Sequence, residues 1–411
     1  MKRVAVTGIG VVSPLGQSGP AAYAAARAGR SAITAITTPF AGRYVSSLAA
    51  STRFDGTDHF DLAKLRMLDR MSQFAIVAAQ RALADSALDF ADVDRDRAGV
   101  FVGTAMGASH TLDDGYQSLY GEKSDRIKPL TVLMGMHNAA AAWIGIDNQL
   151  RGPNLTFSTA CSSSAVAIGE AWLRLAHGEL DMAIAGGSEA PLSLGSLLAW
   201  ESLHTVASVD LHDASASCKP FAKNRSGMVL GEGAAMVVLE SWDRALDRGA
   251  AIHGELLGYG TATDVGHIAR PSVAGQAAAI RSALVAARID LSEVDAINAH
   301  GTGTQANDAV ETAAIKLVFG ARAERIPISA TKALHGHLLG ASGALEFVLS
   351  LFAMQNRVAL PTMHLQISDP ECDLDYVPNA AREDVPIRTM LSHSFAFGGT
   401  NAVLALRAAA A

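Results

Sequence analysis

Cysteine is scarce in this chain. Cys161, Cys218 and Cys372 are the three among 411 residues, and no two stand in a CxxC pair. That spacing excludes a disulfide framework and gives no zinc-ligand pattern. Charge is thin as well, at 18% of residues, with 33 Lys and Arg against 40 Asp and Glu and a net charge of −7. A chain with that balance is no general binder of nucleic acid or of anionic membrane, although a local basic patch remains open. No apolar run reaches the roughly 18 residues a membrane-spanning helix needs. The opening MKRVAVTGIGVVSPLG has two basic residues and an apolar run, but glycines and Pro14 break it and no small-residue cleavage pattern follows. It reads as a first strand and not as a secretion signal, so the cytoplasm is the expected location. The phosphate-cradling patterns GxGxxG and GxxxxGK[ST] are missing, and the glycine turn within Phe221–Glu240 reads as structural punctuation.

What the chain does have is apolar residues, at 49%, and 37 glycines. At this length a single core stops growing, so two core units are expected. Short buried strands are expected at Arg3–Thr7, Gly99–Gly103, Met182–Gly187, Ala234–Leu239, Gly254–Tyr259, Ala296–Ala299 and Ile326–Thr331. Helices fall between them, the strongest at Met71–Ala87. Strands alternating with helices predict an α/β fold with mainly parallel sheet, and the pattern restarts near residue 250.

The chain is organised around Gly152–Gly169, GPNLTFSTACSSSAVAIG. An apolar run leads to a sharp junction at Ala160–Cys161, and a helix starts on three serines. A cysteine at that corner meets free backbone N–H groups and the positive end of the helix dipole, which would lower its pKa and supply oxyanion donors. The plainer alternative is a small buried hydrophobe, which most free cysteines are.

Three later loops carry possible chemistry. NAHGTGTQAND (Asn298–Asp308) places His300 after a strand and small residues after it, with Asp308 and Glu311 in capping-box spacing for the next helix. TKALHGHLLGASGALE (Thr331–Glu346) places Lys332 at a strand end, with His335 and His337 in a turn. SHSFAFGGTN (Ser392–Asn401) is a glycine loop. Ligand sites gather at the carboxyl ends of parallel strands, so a thiol with two imidazoles there forms a Cys–His constellation suited to acyl transfer.

In these motifs the chain resembles the β-ketoacyl-[acyl carrier protein] synthases of the condensing-enzyme group, nearest the synthase I/II type. The carriers are TACSSS, NAHGTGT, TKALHGHLLGASGA and SFAFGGTN, with LRGPN, AGGSEA, VLGEGA and CDLDYVPN in support. The match runs over essentially the whole chain. It implies a thiolase-like α/β fold of two pseudo-twofold-related halves, each a mixed sheet, stacked in five αβαβα layers and taken as 1–250 with the nucleophile and 251–411 with the His and Lys loops. It also implies a homodimer, with a heterodimer alongside a Cys-less chain-length partner as the alternative.

By that resemblance the reaction is a decarboxylative Claisen condensation. Cys161 takes an acyl group from the phosphopantetheine arm of an acyl carrier protein. The backbone N–H groups of Cys161 and Phe397 hold the oxyanion. His300 and His337, as neutral imidazoles, stabilise the enolate left when malonyl thioester loses carbon dioxide. Lys332 tunes them electrostatically, and Glu346 anchors Lys332 or a water. Thr302 and Thr304 bond the pantetheine amides, and Phe397 gates the acyl channel. No metal or bound cofactor is required.

Two residues depart from the family pattern. Ala396 replaces a usual glycine and should restrict positive φ in the gating loop. His335 replaces a small or polar residue and is assigned no role. The CSSS serines lean toward polyketide or polyene assembly. For the acidic carrier, Lys64, Arg66, Arg70, Arg126 and Lys128 form a candidate landing patch, against the plainer reading of solvated helix faces. A chain-length partner would lack Cys161. A thiolase would need a late second cysteine, and a Cys–His hydrolase gives no reason for two histidines and a lysine.

Overall fold

The computed structural model describes residues 1–36, 41–44 and 46–409. Its main sheet has ten strands: β1 Val4–Val12, β2 Ala98–Gly103, β3 Asn154–Phe157, β4 Met182–Glu189, β5 Gly233–Ser241, β6 Gly254–Thr263, β7 Ala296–Asn298, β8 Ile328–Ser329, β9 Thr389–Ser394 and β10 Thr400–Ala408. The order is β8-β7-β9-β10-β6-β1-β5-β4-β2-β3. Adding five to each strand of β1-β5-β4-β2-β3 gives β6-β10-β9-β7-β8, and the strand senses repeat with the order. In each half the two outer pairings are parallel and the two inner ones antiparallel. The halves join where Val4–Val6 of β1 pair antiparallel with Gly254–Leu256 of β6. The sheet is therefore mixed, as the resemblance implies, and the mainly parallel sheet expected from strand–helix alternation is corrected. Hairpin-like returns through β5 and β10 supply the antiparallel pairs, which apolar runs alone do not reveal.

Five helices matter for the site: α1 Arg70–Ser86, α2 Ser163–Ala176, α3 Val273–Ala287, α4 Gln305–Phe319 and α5 Ser342–Asn356. They sort the interior into three main cores. Val100 and Val102 of β2 face the core under α1, whereas Phe101 between them faces the central core of α2 and α5. On β10, Leu404 faces that central core and Val403 and Ala405 face the core of α3 and α4. Strands buried on both faces lose polar alternation, which is why these segments read as continuous apolar runs. The result is the expected αβαβα layering. In the middle layer Leu345, Phe347, Val348, Leu349 and Leu351 of α5 are all completely buried, each worth about 1.5–3 kcal/mol of apolar transfer.

Candidate active site

The nucleophile candidate sits where β3 ends and α2 begins. Ala160 adopts φ +51°, a left-handed conformation that costs a non-glycine residue roughly 1–2 kcal/mol. A single 3₁₀ turn, Ala160–Ser162, carries Cys161 into α2. The serines explain how the strained corner is held. Ser163 Oγ accepts the Thr159 N–H at 2.9 Å and donates to Ala160 O at 2.7 Å. Ser162 Oγ donates to Thr159 O at 2.8 Å. Ser164 Oγ accepts the Ala344 N–H of α5 at 2.9 Å, tying the two central helices together. Beneath the corner, a Cβ at Gly103 would run into the backbone of Ser163 and Ser164, so glycine is what lets α2 start this close to β2.

Three strand ends of the second half bring the other groups. His337 Nε2 lies 3.1 Å from Cys161 Sγ. Its Nδ1 accepts the Leu339 N–H at 3.1 Å and lies 2.8 Å from Ser342 Oγ. An accepting Nδ1 puts the ring proton of the neutral imidazole on Nε2, facing the sulfur. Lys332 Nζ spends its three protons on Glu346 Oε1 at 2.6 Å, His300 O at 2.6 Å and His300 Nδ1 at 3.4 Å. His300 is thereby fixed in the same tautomer, with its ring 5.5 Å from that of His337 at 81°. Burial first, then the charge of Lys332, holds both imidazoles well below their usual pKa. Burial likewise pushes Glu346 up to about 7, opposed by Lys332.

The sulfur contradicts the expected low pKa. It is 6% exposed, and burial pushes the thiol up to about 12. Lys332 and the N–H groups of Phe397 and Cys161 pull the other way without prevailing. Desolvation of a charged sulfur outweighs a helix end.

Asp308 and Glu311 form no capping box. The N-cap of α4 is Thr304, whose Oγ1 accepts the Asn307 N–H at 3.2 Å. The two carboxylates are fully buried and turn back under the loop. Glu311 accepts the N–H groups of His300 at 2.8 Å and Gly301 at 2.9 Å and faces His393 Nδ1 at 3.1 Å. Asp308 accepts those of Phe221 at 2.8 Å and Gly303 at 3.2 Å. Residues four apart on a helix share a face, and three apart nearly so, and here that face is turned into the protein. On the opposite side Glu189 accepts from Ala105, Met106 and Gly340 at 2.6, 3.0 and 3.0 Å. Neither this clamp nor Ser342 was visible as site support in the sequence, since their partners lie on other elements.

Ala396 is extended at φ −125°, a conformation open to any residue, so its methyl imposes no restriction here. The left-handed positions of this loop are Gly398 and Gly399 at φ +79° and +81°. The Phe397 ring stacks on Trp200 at 6.0 Å between centroids. His335 Nε2 lies 3.0 Å from Thr331 Oγ1, and the residue is fully buried. Burial and the Lys332 charge push it down to about 3.

A cavity of about 290 Å³ rises from Cys161, His300 and His337 past Thr302 and Thr304 to the surface. Thr302 Oγ1 lies 2.9 Å from Thr304 Oγ1. Cys161, His300 and His337 each present a ligand-type atom, all within 4.8 Å of one another. Their tautomers oppose a metal, however. A ligating Nε2 must be bare, with Nδ1–H donating to an acceptor, and here both Nδ1 atoms receive hydrogen bonds.

The expected basic patch divides. Arg70 is bidentate to buried Glu232 at 2.9 and 2.7 Å. Lys64 pairs with Asp147 at 2.7 Å and covers Trp143 at 3.5 Å. Both are paired, Lys64 in a partly exposed ion pair and Arg70 with a buried carboxylate. Arg66, Arg126 and Lys128 are exposed and form no ion pair among the described residues. No described helix is long and apolar enough to cross a membrane.

Comparison with known proteins agrees over the full length. The sequence profile "Beta-ketoacyl synthase, N-terminal domain" matches residues 1–245, and "Beta-ketoacyl synthase, C-terminal domain" matches 253–366. The chain is 38% identical over 409 residues to 3-oxoacyl-[acyl-carrier-protein] synthase 2 of Staphylococcus aureus (strain N315), covering 99% of this chain and 98% of that one. Two solved structures superpose over 100% of both chains at TM-score 0.93. One is the ishigamide ketosynthase/chain length factor, at 33% identity, and the other a type II PKS acyl-carrier protein in complex with its ketosynthase bound to the hexaketide, at 32%.

Proposed function

The chain belongs to the beta-ketoacyl synthase family, and from that footing we propose that it is a 3-oxoacyl-[acyl-carrier-protein] synthase, an acyltransferase that elongates a fatty-acid or polyketide chain by decarboxylative condensation. The observation that carries the reading is the approach of His337 Nε2 to Cys161 Sγ at 3.1 Å, with the proton on that nitrogen.

The steps follow from the donors. Cys161 Sγ attacks the acyl thioester, the sulfur–carbon bond to the carrier's pantetheine breaks, and the thiol proton leaves with the pantetheine sulfur. One thiol replaces another, so the exchange balances at the thioester level, and the thiolate fraction of a thiol pushed up to about 12 is what attacks, favoured by Lys332 and the N–H groups of Phe397 and Cys161. The N–H groups of Cys161 and Phe397 hold the tetrahedral oxyanion. Malonyl thioester then loses carbon dioxide, and the Nε2–H groups of His300 and His337 hold the enolate oxygen. The enolate carbon attacks the acyl-Cys161 carbonyl, and the expelled sulfur regains a proton. One proton is consumed and one carbon dioxide released per added two-carbon unit. Lys332, paired with Glu346, fixes the His300 tautomer. Thr302 and Thr304 line the path of the pantetheine, and Phe397 stands over the acyl channel.

The phosphopantetheine carrier, and not a bound cofactor, brings the substrates. Arg66, Arg126 and Lys128 are our landing patch for an acidic carrier. The division into 1–250 with the nucleophile and 251–411 with the His and Lys loops belongs to this reading, supported by the repeated strand order. So does a homodimer; the solved relative titled ketosynthase/chain length factor keeps a heterodimer as the second form. Three free cysteines suit the reducing cytoplasm.

The test is condensation of acyl- with malonyl-carrier protein, scoring chain extension and carbon dioxide together. His300→Ala and His337→Ala should each lower turnover by about 10²–10³. Release of free acid without carbon–carbon bond formation would instead make the protein a thioesterase.

A further inference from the structure

Of the residues lining the cavity above Cys161, Arg270 alone carries a full charge, and no carboxylate stands among them. The floor is buried, whereas His267, Ile268 and Arg270 are exposed at the mouth. Among the described residues Arg270 makes no ion pair or hydrogen bond. His267 Nδ1 accepts the Ala269 N–H at 3.0 Å, which leaves its Nε2–H free to donate outward. The segment is held in place from the catalytic side. Gly398 N–H donates to Ile268 O at 2.7 Å, and Asp264 N–H donates to Gly399 O at 2.9 Å. Asp264 in turn accepts from Ser272 N and Oγ at 3.1 and 2.5 Å. The guanidinium thus stands on a loop fastened to the residues next to Phe397.

We propose that Arg270, with His267 beside it, is the receptor for the phosphodiester of the substrate's phosphopantetheine arm, a site at the cavity mouth distinct from the carrier-protein patch. The proposal rests on the condensing-enzyme reading. An arm that reaches Cys161 past Thr302 and Thr304 has its thioester at the floor and its phosphate at the other end, where the wall is exposed. A phosphate wants a planar, always-charged fork with several donors, which arginine supplies and a lysine only approximates. On a molecule of net charge −7, a lone cation at the mouth also sets the direction in which an anionic arm is drawn.

The experiment compares acyl-phosphopantetheine with acyl-pantetheine, which differ by the phosphate alone, as donors to Cys161 in the full chain. For the wild type, kcat/KM should favour the phosphorylated donor by on the order of tenfold, carried in KM. In Arg270→Gln that preference should collapse toward unity, and Arg270→Lys should keep part of it. Arg270 is exposed and unpartnered, so neither change threatens the fold. A wild type acylated equally well by both small donors overturns the proposal alone. So does an Arg270→Gln that keeps the full preference, or that weakens only the reaction with carrier protein. A wild type acylated by neither small donor nor by carrier-bound substrate overturns the condensing-enzyme reading, and the proposal with it.

Discussion

At the residue scale the decisive fact is a buried sulfur beside a protonated Nε2. Helix position favours thiolate, but burial strips the sulfur of the water that would stabilise it, and a thiol at about 12 stays protonated at neutral pH. Alkylation of Cys161 by iodoacetamide, followed by peptide mass, should therefore rise about tenfold per pH unit from about pH 6 to about pH 9 without levelling. A plateau below about pH 8 would show a resting thiolate. The same residue marks the limit of sequence reading. TACSSS places Cys161 at a helix start, and the structure keeps it there. Burial depends on Gly103, His337 and α5, which arrive from three other places in the chain, so the pKa could not be read locally. Asp308 and Glu311 illustrate the same limit: their spacing fits a cap, but Thr304 takes that role and the carboxylates serve the loop under His300.

At the scale of elements the two outermost strands differ. They occupy equivalent places in the repeated order, yet β8 is buried and its Ile328 N–H donates to Asp375 O at 2.8 Å, whereas β3 pairs with β2 alone and Leu155 is 36% exposed. Exposed Tyr116, Tyr120, Val132, Leu133 and Ile146 lie on the segments that precede β3. A bare strand edge beside an apolar face is a template for another chain. In the proposed homodimer we assign this edge as the interface, so the wild type should sediment as dimer and Leu155→Lys as monomer at micromolar concentration. A monomeric wild type, or a variant that remains dimeric, would contradict the assignment of this edge. Most strands buried on both faces could be placed from sequence because their apolar runs are continuous, whereas β9 and β10, on either side of the glycine loop, were not among the strands expected. Strand sense could not be read, since an apolar run is the same in either direction, and β5 and β10 proved antiparallel to their neighbours.

At the scale of the molecule, duplication explains why the site is where it is. Cys161 follows β3, and Lys332 and His337 follow β8, the same strand of each half, and the packing of α2 against α5 in the central layer brings nucleophile and donors face to face. His300 and Phe397 follow β7 and β9 on either side. The four motifs that carry the resemblance are thus four strand ends gathered around the start of α2. Their order along the chain was legible, and their convergence required the fold. The central claim is that Cys161 accepts the acyl group. Intact-protein mass after incubation with a ladder of acyl-carrier-protein thioesters, short to long, tests it directly, with Cys161→Ala in parallel. One range of chain lengths should add its acyl mass to the wild type and none to the variant. Acyl mass that persists on Cys161→Ala, or a wild type that takes none from any donor, would contradict the account.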